Sequence, residues 1–478
     1  MNQADSEKIH MMLLQSGCVK TDIFESADVV ILNTCSVRKK GEDKVFSLIK
    51  RVKTLNKNRP DGQKMIIGLT GCMVRKTGMH QKYLSANTKR TTASKITYIT
   101  EKSGIFNHDD VLFPRTDGLD FTLRIEEIKY LSLILSHIYG EKIGSDDRFD
   151  DYLKMKQFRE HAYTAAVIVQ TGCDNFCTFC IVPYTRGREI SRPQEDIVQE
   201  VRELAAKGTK EIYLVGQNVN SYGKQKNLKL WNEEKSQWNS GIGTSPFREL
   251  LDTVNTIEID RIRFTSSNPH DMTQDILDAH FELEHACNYL HFALQSGNNE
   301  MLKRMNRKHT YEDFKQMVNY LRSRDPFFSV STDIIVGYSG ETEEMFADTY
   351  RALEELEIDF AYIARYSVRN GTLASRIYPD DISDTLKAER WHILNNLLEK
   401  NVAKRSQKMI GTTQEILISG KKDDMYFGRT RNFKEVFFPT IPGVHIGDLV
   451  SVYITDLDAW VLREYTTQNH HQKIKVHI

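Results

Sequence analysis

Three cysteines at close quarters are the feature of this 478-residue sequence best able to do chemistry: Cys173, Cys177 and Cys180, in the run Cys173-Asp174-Asn175-Phe176-Cys177-Thr178-Phe179-Cys180. Thiolates spaced by three and then two residues on one short loop can take three irons of a cubane, and no fourth cysteine lies nearby. One iron is then left without a protein thiolate. An open iron suits a small chelating ligand, whereas an electron-transfer cluster is normally closed by four cysteines. The alternatives are a zinc site, which normally needs four ligands, and a set of buried thiols.

The other cysteines are Cys18, Cys35, Cys72 and Cys287. An odd total of seven in a reducing compartment argues against a disulfide framework. The β-branched run 29–32 and the apolar run 65–69 read as strands, with helical patterns over 5–15 and 42–53 beside them, an open α/β arrangement. Cys35 and Cys72 each fall just past the carboxyl end of one of these strands, where ligand sites of open parallel sheets gather, so the two can share one site. Residues 88–160 are charged and weakly periodic, and read as the end of a first domain plus a linker.

From Thr164 a second rhythm begins, with strands expected at 164–170, 211–216, 261–266, 289–294, 328–336 and 360–366 and helical patterns between them. The clearest helix follows Ser191, carries Pro193 in its first turn and places Ile197, Val201, Leu204 and Ala205 on one face before Gly208 stops it. Six βα units make a partial parallel barrel, since the full barrel needs eight. The cysteine loop lies just past the first of these strands. Residues 224–245, rich in Lys, Asn, Gly and Ser, read as a surface insertion. After a long helix over 384–408, short strands at 415–419, 435–438 and 449–454, with Gly420, Gly443 and Gly447 between them, make a small all-β module. The expected division is 1–160, 161–408 and 409–478.

A chain of this length exceeds what one core supports, and 40% hydrophobic with 27% charged residues describes an ordinary soluble globular protein. The 65 basic and 65 acidic residues cancel, so any nucleic-acid site must be a local patch. No apolar run approaches the ~18 residues of a membrane span. Met1 is followed by polar residues with no basic-then-apolar leader. No membrane partner and a cytoplasmic location are expected.

With the elements in place, the cysteine spacing after the first strand of a partial barrel resembles the radical S-adenosylmethionine superfamily. Its flanks, Gln170-Thr171-Gly172 and Ile181-Val182-Pro183-Tyr184-Thr185-Arg186-Gly187-Arg188-Glu189, then Ser191-Arg192-Pro193, are similar to the signature of its methylthiotransferase family. Gly216-Gln217-Asn218-Val219-Asn220, Gln295-Ser296-Gly297, Asp333-Ile334-Ile335-Val336-Gly337 and Gly340-Glu341-Thr342 fit at matching strand ends, and the resemblance covers nearly the whole chain. It implies a [4Fe-4S] cluster on Cys173, Cys177 and Cys180, with the amino and carboxylate groups of S-adenosylmethionine on the open iron and a 5′-deoxyadenosyl radical released on one-electron reduction. It implies that Gln217, Gln295 and Asp333 line the S-adenosylmethionine pocket; without the family, each is a polar residue at a barrel rim. Arg186 and Arg188 then face substrate phosphate or cofactor carboxylate, or are surface or domain-interface charges.

The resemblance also gives Cys35 and Cys72 a role. In the family a flavodoxin-like amino-terminal domain holds a second [4Fe-4S] cluster on three cysteines, tied to the sulfur delivered to substrate. Asn33-Thr34-Cys35-Ser36-Val37-Arg38 and Gly71-Cys72-Met73 resemble the second and third ligand motifs, and the first is absent. Met1-Asn2-Gln3-Ala4-Asp5-Ser6-Glu7 matches the family just after that missing cysteine. Its strand would be internal to the sheet, so a truncated or late-assigned start is expected over a natural two-cysteine variant. Cys18 is a poor substitute because its helix leads away from the strand ends, and Cys287 reads as a buried core thiol. The carboxyl-terminal module, with Phe427-Gly428-Arg429-Thr430-Arg431-Asn432-Phe433, resembles the TRAM domain, an RNA-binding β-barrel in which arginines and aromatics suit phosphate contact and base stacking.

The implied activity is addition of a methylthio group to C2 of N6-(dimethylallyl)adenosine beside the anticodon of tRNA. One S-adenosylmethionine methylates sulfur at the amino-terminal cluster and a second supplies the radical that removes the C2 hydrogen. The implied partners are tRNA and a flavodoxin-type or other low-potential reductant, and the chain is expected to be a monomer. Two alternatives stay within the family: threonylcarbamoyladenosine in tRNA, or a ribosomal-protein aspartate, as substrate. Gly216-Gln217-Asn218-Val219-Asn220 favours the dimethylallyl branch. Outside it stand an RNA-binding protein with a single radical-capable cluster and a non-enzymatic, zinc-stabilised RNA-binding protein. Ser339 and Asn370 stand where proline is usual in the family, changes of loop stiffness only.

Overall fold

The computed structural model describes residues 1–34, 39–60, 63–74, 119–144, 152–155, 157–159, 162–224, 244–458 and 461–463. They fall into two compact units, one of Met1–Glu160, Thr171–Ile190 and Ser367–Ile377, the other of His161–Gln170, Ser191–Tyr366 and Tyr378–Ile478. Among the described residues no helix is long and apolar enough to cross a membrane.

The first unit contains α1 (Asn2–Gln15), β1 (Val29–Thr34), α2 (Lys39–Asn56), β2 (Ile66–Gly71), β3 (Phe121–Thr122) and α3 (Leu131–Tyr139). β1 and β2 pair in parallel, Val29 opposite Ile66 and Thr34 opposite Gly71, and β3 joins the far edge of β2, also in parallel. This is the open α/β sheet that the two apolar runs implied. α2 presents Val45, Ile49 and Val52 at helical spacing to Ile67 and Leu69, which supplies the hydrophobic reason for the βα packing. Of residues 88–160, expected to hold the end of the first domain plus a linker, 119–144 belong to the domain. Leu119 enters this core, the Asp120 carboxylate accepts the Ile67 N–H at 2.8 Å, and β3 extends the sheet. A two-residue strand is too short to show a period, which is why it was not legible.

The second unit runs β4 (Thr164–Ile168), α4 (Gln194–Ala206), β5 (Glu211–Val215), α5 (Pro246–Asn255), β6 (Arg261–Thr265), α6 (Gln274–Glu282), β7 (Tyr289–His291), α7 (Tyr311–Arg324), β8 (Ser329–Val336), α8 (Glu343–Glu355), β9 (Phe360–Arg365) and α9 (Asp384–Gln407). All strand pairs are parallel: β4-β5-β6 form one set and β7-β8-β9 another. Parallel bridges from Ile262 to Ala286 and from Ser267 to Phe292 join the sets. Spatial order therefore follows chain order, as successive βα crossovers of one hand produce, and the result is a partial (βα)6 barrel. Val167, Leu214, Phe264, Leu290 and Ile334 pack against Val201, Leu250, Leu277, Phe314 and Leu353 of the helices. The alternate strand positions are polar: Tyr213, Arg263, His291, Ser331 and Asp333. Pro193 is the N-cap of α4 rather than part of its first turn. Of the expected insertion, residues 225–243 lie outside the described residues.

After α9 come β10 (Thr413–Lys422), β11 (Met425–Thr430), β12 (Glu435–Pro439), β13 (Leu449–Tyr453), β14 (Asp456–Asp458) and β15 (Val461–Arg463), in spatial order β13-β10-β11-β12-β15-β14. Ile416, Ile418, Val436, Phe438, Val450, Val452 and Leu462 fill the inside of this curled sheet, the all-β module expected from its short glycine-punctuated strands.

Candidate active site

The cysteine loop departs from the barrel at Gln170 and returns at Ser191, and its stem is closed within the second unit. Ser191 Oγ donates to Gln170 Oε1 at 3.2 Å, the Arg192 N–H donates to Val169 O at 2.8 Å and Arg192 Nη1 donates to Ile168 O at 2.9 Å. Within the first unit the loop folds on itself. The Cys173 N–H donates to Gly187 O at 3.3 Å. The Asp174 carboxylate accepts from Arg188 Nε at 2.7 Å and from the Glu189 N–H at 3.1 Å. Gly172 has φ +81°, and a Cβ there would meet Arg188 O at 2.1 Å, so the crossing requires glycine. The Cys180 N–H turns back to Cys177 O at 2.9 Å, and the Ala374 N–H of the 367–377 segment holds Thr178 O at 2.8 Å.

Cys173 is buried, and Cys177 and Cys180 are half-buried. Burial pushes the Cys173 thiol up, and the neighbouring Cys180 and Cys177 push it further, so the three sulfurs share one neighbourhood. Among the described residues no three His, Cys, Asp or Glu side chains converge on one point as a single bound metal ion requires. A cubane makes a different demand, one thiolate at each of three corner irons. Three soft donors set apart on a closed loop, one of them deep and two near the surface, fit that group.

The second candidate site is built at strand ends. Cys72, just past β2, is buried, and its N–H donates to Thr34 O at 2.8 Å. Cys35 lies outside the described residues. Asn33 Oδ1 and Thr70 Oγ1, from the ends of β1 and β2, are buried without hydrogen-bond partners. Cys18 sits beyond the carboxyl end of α1, half-exposed, and Cys287 is fully enclosed in the second unit. The two arginines of the cysteine loop part company. Arg188 is exposed and pairs with Asp174 beside it, whereas Arg186 is buried and pairs with Asp5 of α1.

At the carboxyl ends of the barrel strands, Gln295 and Asp333 are backbone neighbours, the Gln295 N–H donating to Asp333 O at 2.8 Å. Gln295 has φ +76°, and its Oε1 is buried without a partner, as is Ser267 Oγ on the adjacent strand end. Asp333 lies inside β8 rather than at its tip, with His291 Nε2 at 3.3 Å from its carboxylate. Gln217 follows β5 and is half-buried. Asn218 Nδ2 donates to Asp271 Oδ2 at 2.7 Å, and Asn220 exchanges hydrogen bonds of 2.9 Å with the Asn268 backbone. Arg307 Nη2 donates to Asn268 Oδ1 at 2.9 Å. Asn218 and Asn220, neighbours of Gln217 in the same motif, are buried. The signal that singles them out is burial, visible only in the fold.

The arginine-aromatic turn of the carboxyl-terminal module is largely spent on the barrel. Arg263 donates to Arg431 O at 2.7 Å and to Thr430 O at 2.8 Å, and Arg261 donates to Arg429 O at 2.8 Å. Arg431 reaches Glu284 O at 2.8 Å and Ala286 O at 2.9 Å, and Phe433 stacks on Tyr289 with centroids 4.3 Å apart. Phe427 remains on the outer sheet, stacked with Phe437 at 5.5 Å.

Three domain families match this chain: the Radical SAM superfamily over residues 167–353, uncharacterized protein family UPF0004 over 1–91 and the TRAM domain over 407–463. The tRNA-2-methylthio-N(6)-dimethylallyladenosine synthase of Clostridium novyi is 37% identical over 97% of this chain and 93% of its own length. That of Caldicellulosiruptor saccharolyticus is 38% identical over 91% and 84%, and that of Yersinia enterocolitica 34% over 97% and 89%. Among solved structures, the radical S-adenosylmethionine methyltransferase TsrM of Kitasatospora setae superposes with a TM-score of 0.43 at 14% identity, over 73% of this chain and 66% of that one. A radical-type cysteine loop after the first strand of a six-stranded partial barrel, an open α/β unit before it and a TRAM module after it are thus matched nearly end to end by curated relatives, and the chain belongs to the family of tRNA-2-methylthio-N(6)-dimethylallyladenosine synthases.

Proposed function

We propose that this chain converts N6-(dimethylallyl)adenosine beside the anticodon of tRNA to its 2-methylthio derivative, with 1–160 as the sulfur-delivering domain, 161–408 as the radical domain and 409–478 as the RNA-binding domain. The observation that carries the reading is the loop on which Cys173, Cys177 and Cys180 share one neighbourhood, with no fourth cysteine in the adjoining sequence. When bound there, a reduced [4Fe-4S] cluster with S-adenosylmethionine supplies a 5′-deoxyadenosyl radical able to take the C2 hydrogen of the base.

The chain's own residues bind, orient and enclose. Cys173, Cys177 and Cys180 hold the three protein-ligated irons. Gln295 and Ser267 offer buried, unpartnered oxygens at adjacent strand ends, and a buried acceptor without a donor costs roughly 1–3 kcal/mol unless a ligand meets it. An ammonium or hydroxyl of S-adenosylmethionine can do so. Gln217 and Asp333 complete the rim, and His291 fixes the orientation of the Asp333 carboxylate. Cys35 and Cys72 hold the second cluster, whose third ligand this sequence does not supply from its first motif. The enzyme works in the cytoplasm as a monomer and takes electrons from a flavodoxin-type or similar low-potential carrier. Mass spectrometry of tRNA nucleosides from a deletion strain tests the activity. Loss of the methylthio-dimethylallyl nucleoside with accumulation of its unthiolated precursor is expected, and an unchanged level would refute it.

A further inference from the structure

Two neighbouring barrel strands, β7 and β8, turn a file of polar side chains into the barrel. Tyr289 and His291 stand two residues apart on β7, and Ser331 and Asp333 two apart on β8, so each pair shares one face of its strand. The strands pair in parallel with His291 opposite Ser331, and this register brings the four side chains into contact. The Tyr289 hydroxyl lies 2.7 Å from Ser331 Oγ, Ser331 Oγ lies 2.9 Å from His291 Nδ1, and His291 Nε2 lies 3.3 Å from Asp333 Oδ2. Tyr289, His291 and Ser331 are buried, whereas the Asp333 side chain is 39% exposed. The hydrogen-bonded chain is therefore closed at Tyr289, whose ring is stacked on Phe433, and open at Asp333.

While the imidazole is neutral, this chain can be polarised in one direction only. An ionised carboxylate accepts and cannot donate, so Nε2 must carry the proton. Nδ1 is then the acceptor, which makes the Ser331 hydroxyl its donor. Ser331 has a single hydroxyl proton, so its oxygen is left to accept from Tyr289. Burial pushes the Tyr289 hydroxyl up to about 12, which keeps that proton on the phenol at neutral pH. Reversing the links would set the Nε2 lone pair against the carboxylate.

We propose that Ser331 and Tyr289 are positioning residues for Asp333, acting through His291: they hold the imidazole as its Nε2–H tautomer, and that N–H fixes the Asp333 carboxylate for S-adenosylmethionine. This rests on the reading of Asp333 as part of the S-adenosylmethionine pocket. Because the donor is a neutral imidazole, Asp333 keeps its negative charge for the ligand. An arginine or lysine in the same place would neutralise it.

Nitrogen-15 magnetic resonance of the histidine-labelled full chain, without added iron, reads the tautomer, and His291→Gln identifies the His291 signals. His291 is expected to be neutral with its proton on Nε2. Ser331→Ala should remove that preference and Ser331→Thr should restore it. Tyr289→Phe should weaken it less, since the Ser331 hydroxyl remains. Equilibrium binding of S-adenosylmethionine to the reconstituted, unreduced chain reads the consequence. Ser331→Ala and His291→Gln should bind roughly tenfold more weakly, the size of one hydrogen bond to a charged group, and Ser331→Thr close to the parent. A His291 imidazolium, a proton on Nδ1, or a tautomer unmoved by Ser331→Ala overturns the inference alone. Unchanged binding in Ser331→Ala and His291→Gln while Asp333→Asn weakens it does the same. An Asp333→Asn protein that binds S-adenosylmethionine as tightly as the parent overturns the pocket reading of Asp333, and the inference with it.

Discussion

The two cysteine sites are built in opposite ways. Cys173, Cys177 and Cys180 lie on one loop of eight residues, whose backbone crossing, glycine and Asp174–Arg188 latch are all local. Cys72 stands where strands end, with Asn33 and Thr70 at the ends of β1 and β2 in the same sheet. A local site can form as soon as its loop closes. A site assembled from strand ends exists only when the sheet is in register, and it therefore reports on the fold in a way the loop does not.

The contrast predicts separable losses. Cys177→Ala should abolish 5′-deoxyadenosine formation, a fall of at least about a hundredfold given that one thiolate of three is lost; chromatography of the reaction measures it, and residual cleavage would show that the loop is not the radical site. Cys72→Ala should leave reductive cleavage of S-adenosylmethionine standing and remove the methylthio product, and loss of both activities would break the separation. Gly172→Ala should lower iron retention at the loop without abolishing it, because the strained φ and the overlap with Arg188 O push the crossing apart; iron analysis after gel filtration decides.

A smaller effect lies where the TRAM module meets the barrel. Asp359 is fully buried; burial alone would raise its carboxyl, but Lys434, Arg405 and Arg322 outweigh it and hold it at about 2. A folded value below the unfolded one near ~4 contributes on the order of 2 kcal/mol that is present above pH ~4 and lost as pH falls towards 2. Asp359→Asn should lower Tm at neutral pH and flatten the acid limb of a Tm-against-pH curve, with no effect on iron content. An unaltered acid limb would place the acid sensitivity elsewhere.

Legibility followed the same divide. The contiguous cysteine run, the six strands and the glycine-punctuated module were readable because spacing and period are local properties. Cys72 was placed correctly at a strand end because an apolar run announces where it stops. Asp5 and Arg186 were not paired, since nothing in either stretch of sequence names the other. That Asn218 and Asn220 beside Gln217 are buried was not legible, because burial of a polar side chain has no periodic signature. Arg431 and Phe433 looked like an RNA contact and are instead bound to barrel carbonyls and to Tyr289. Composition identifies an arginine-aromatic turn but not the surface it faces.

The stem of the cysteine loop is closed by Ser191 on Gln170 and by Arg192 on Val169 and Ile168, using protein groups alone. The first barrel strand therefore keeps its register whether or not iron is present. A cell starved of iron would accumulate a folded apoprotein ready for refilling rather than an unfolded one marked for destruction, and the same melting temperature for the barrel before and after reconstitution would be the sign of that economy.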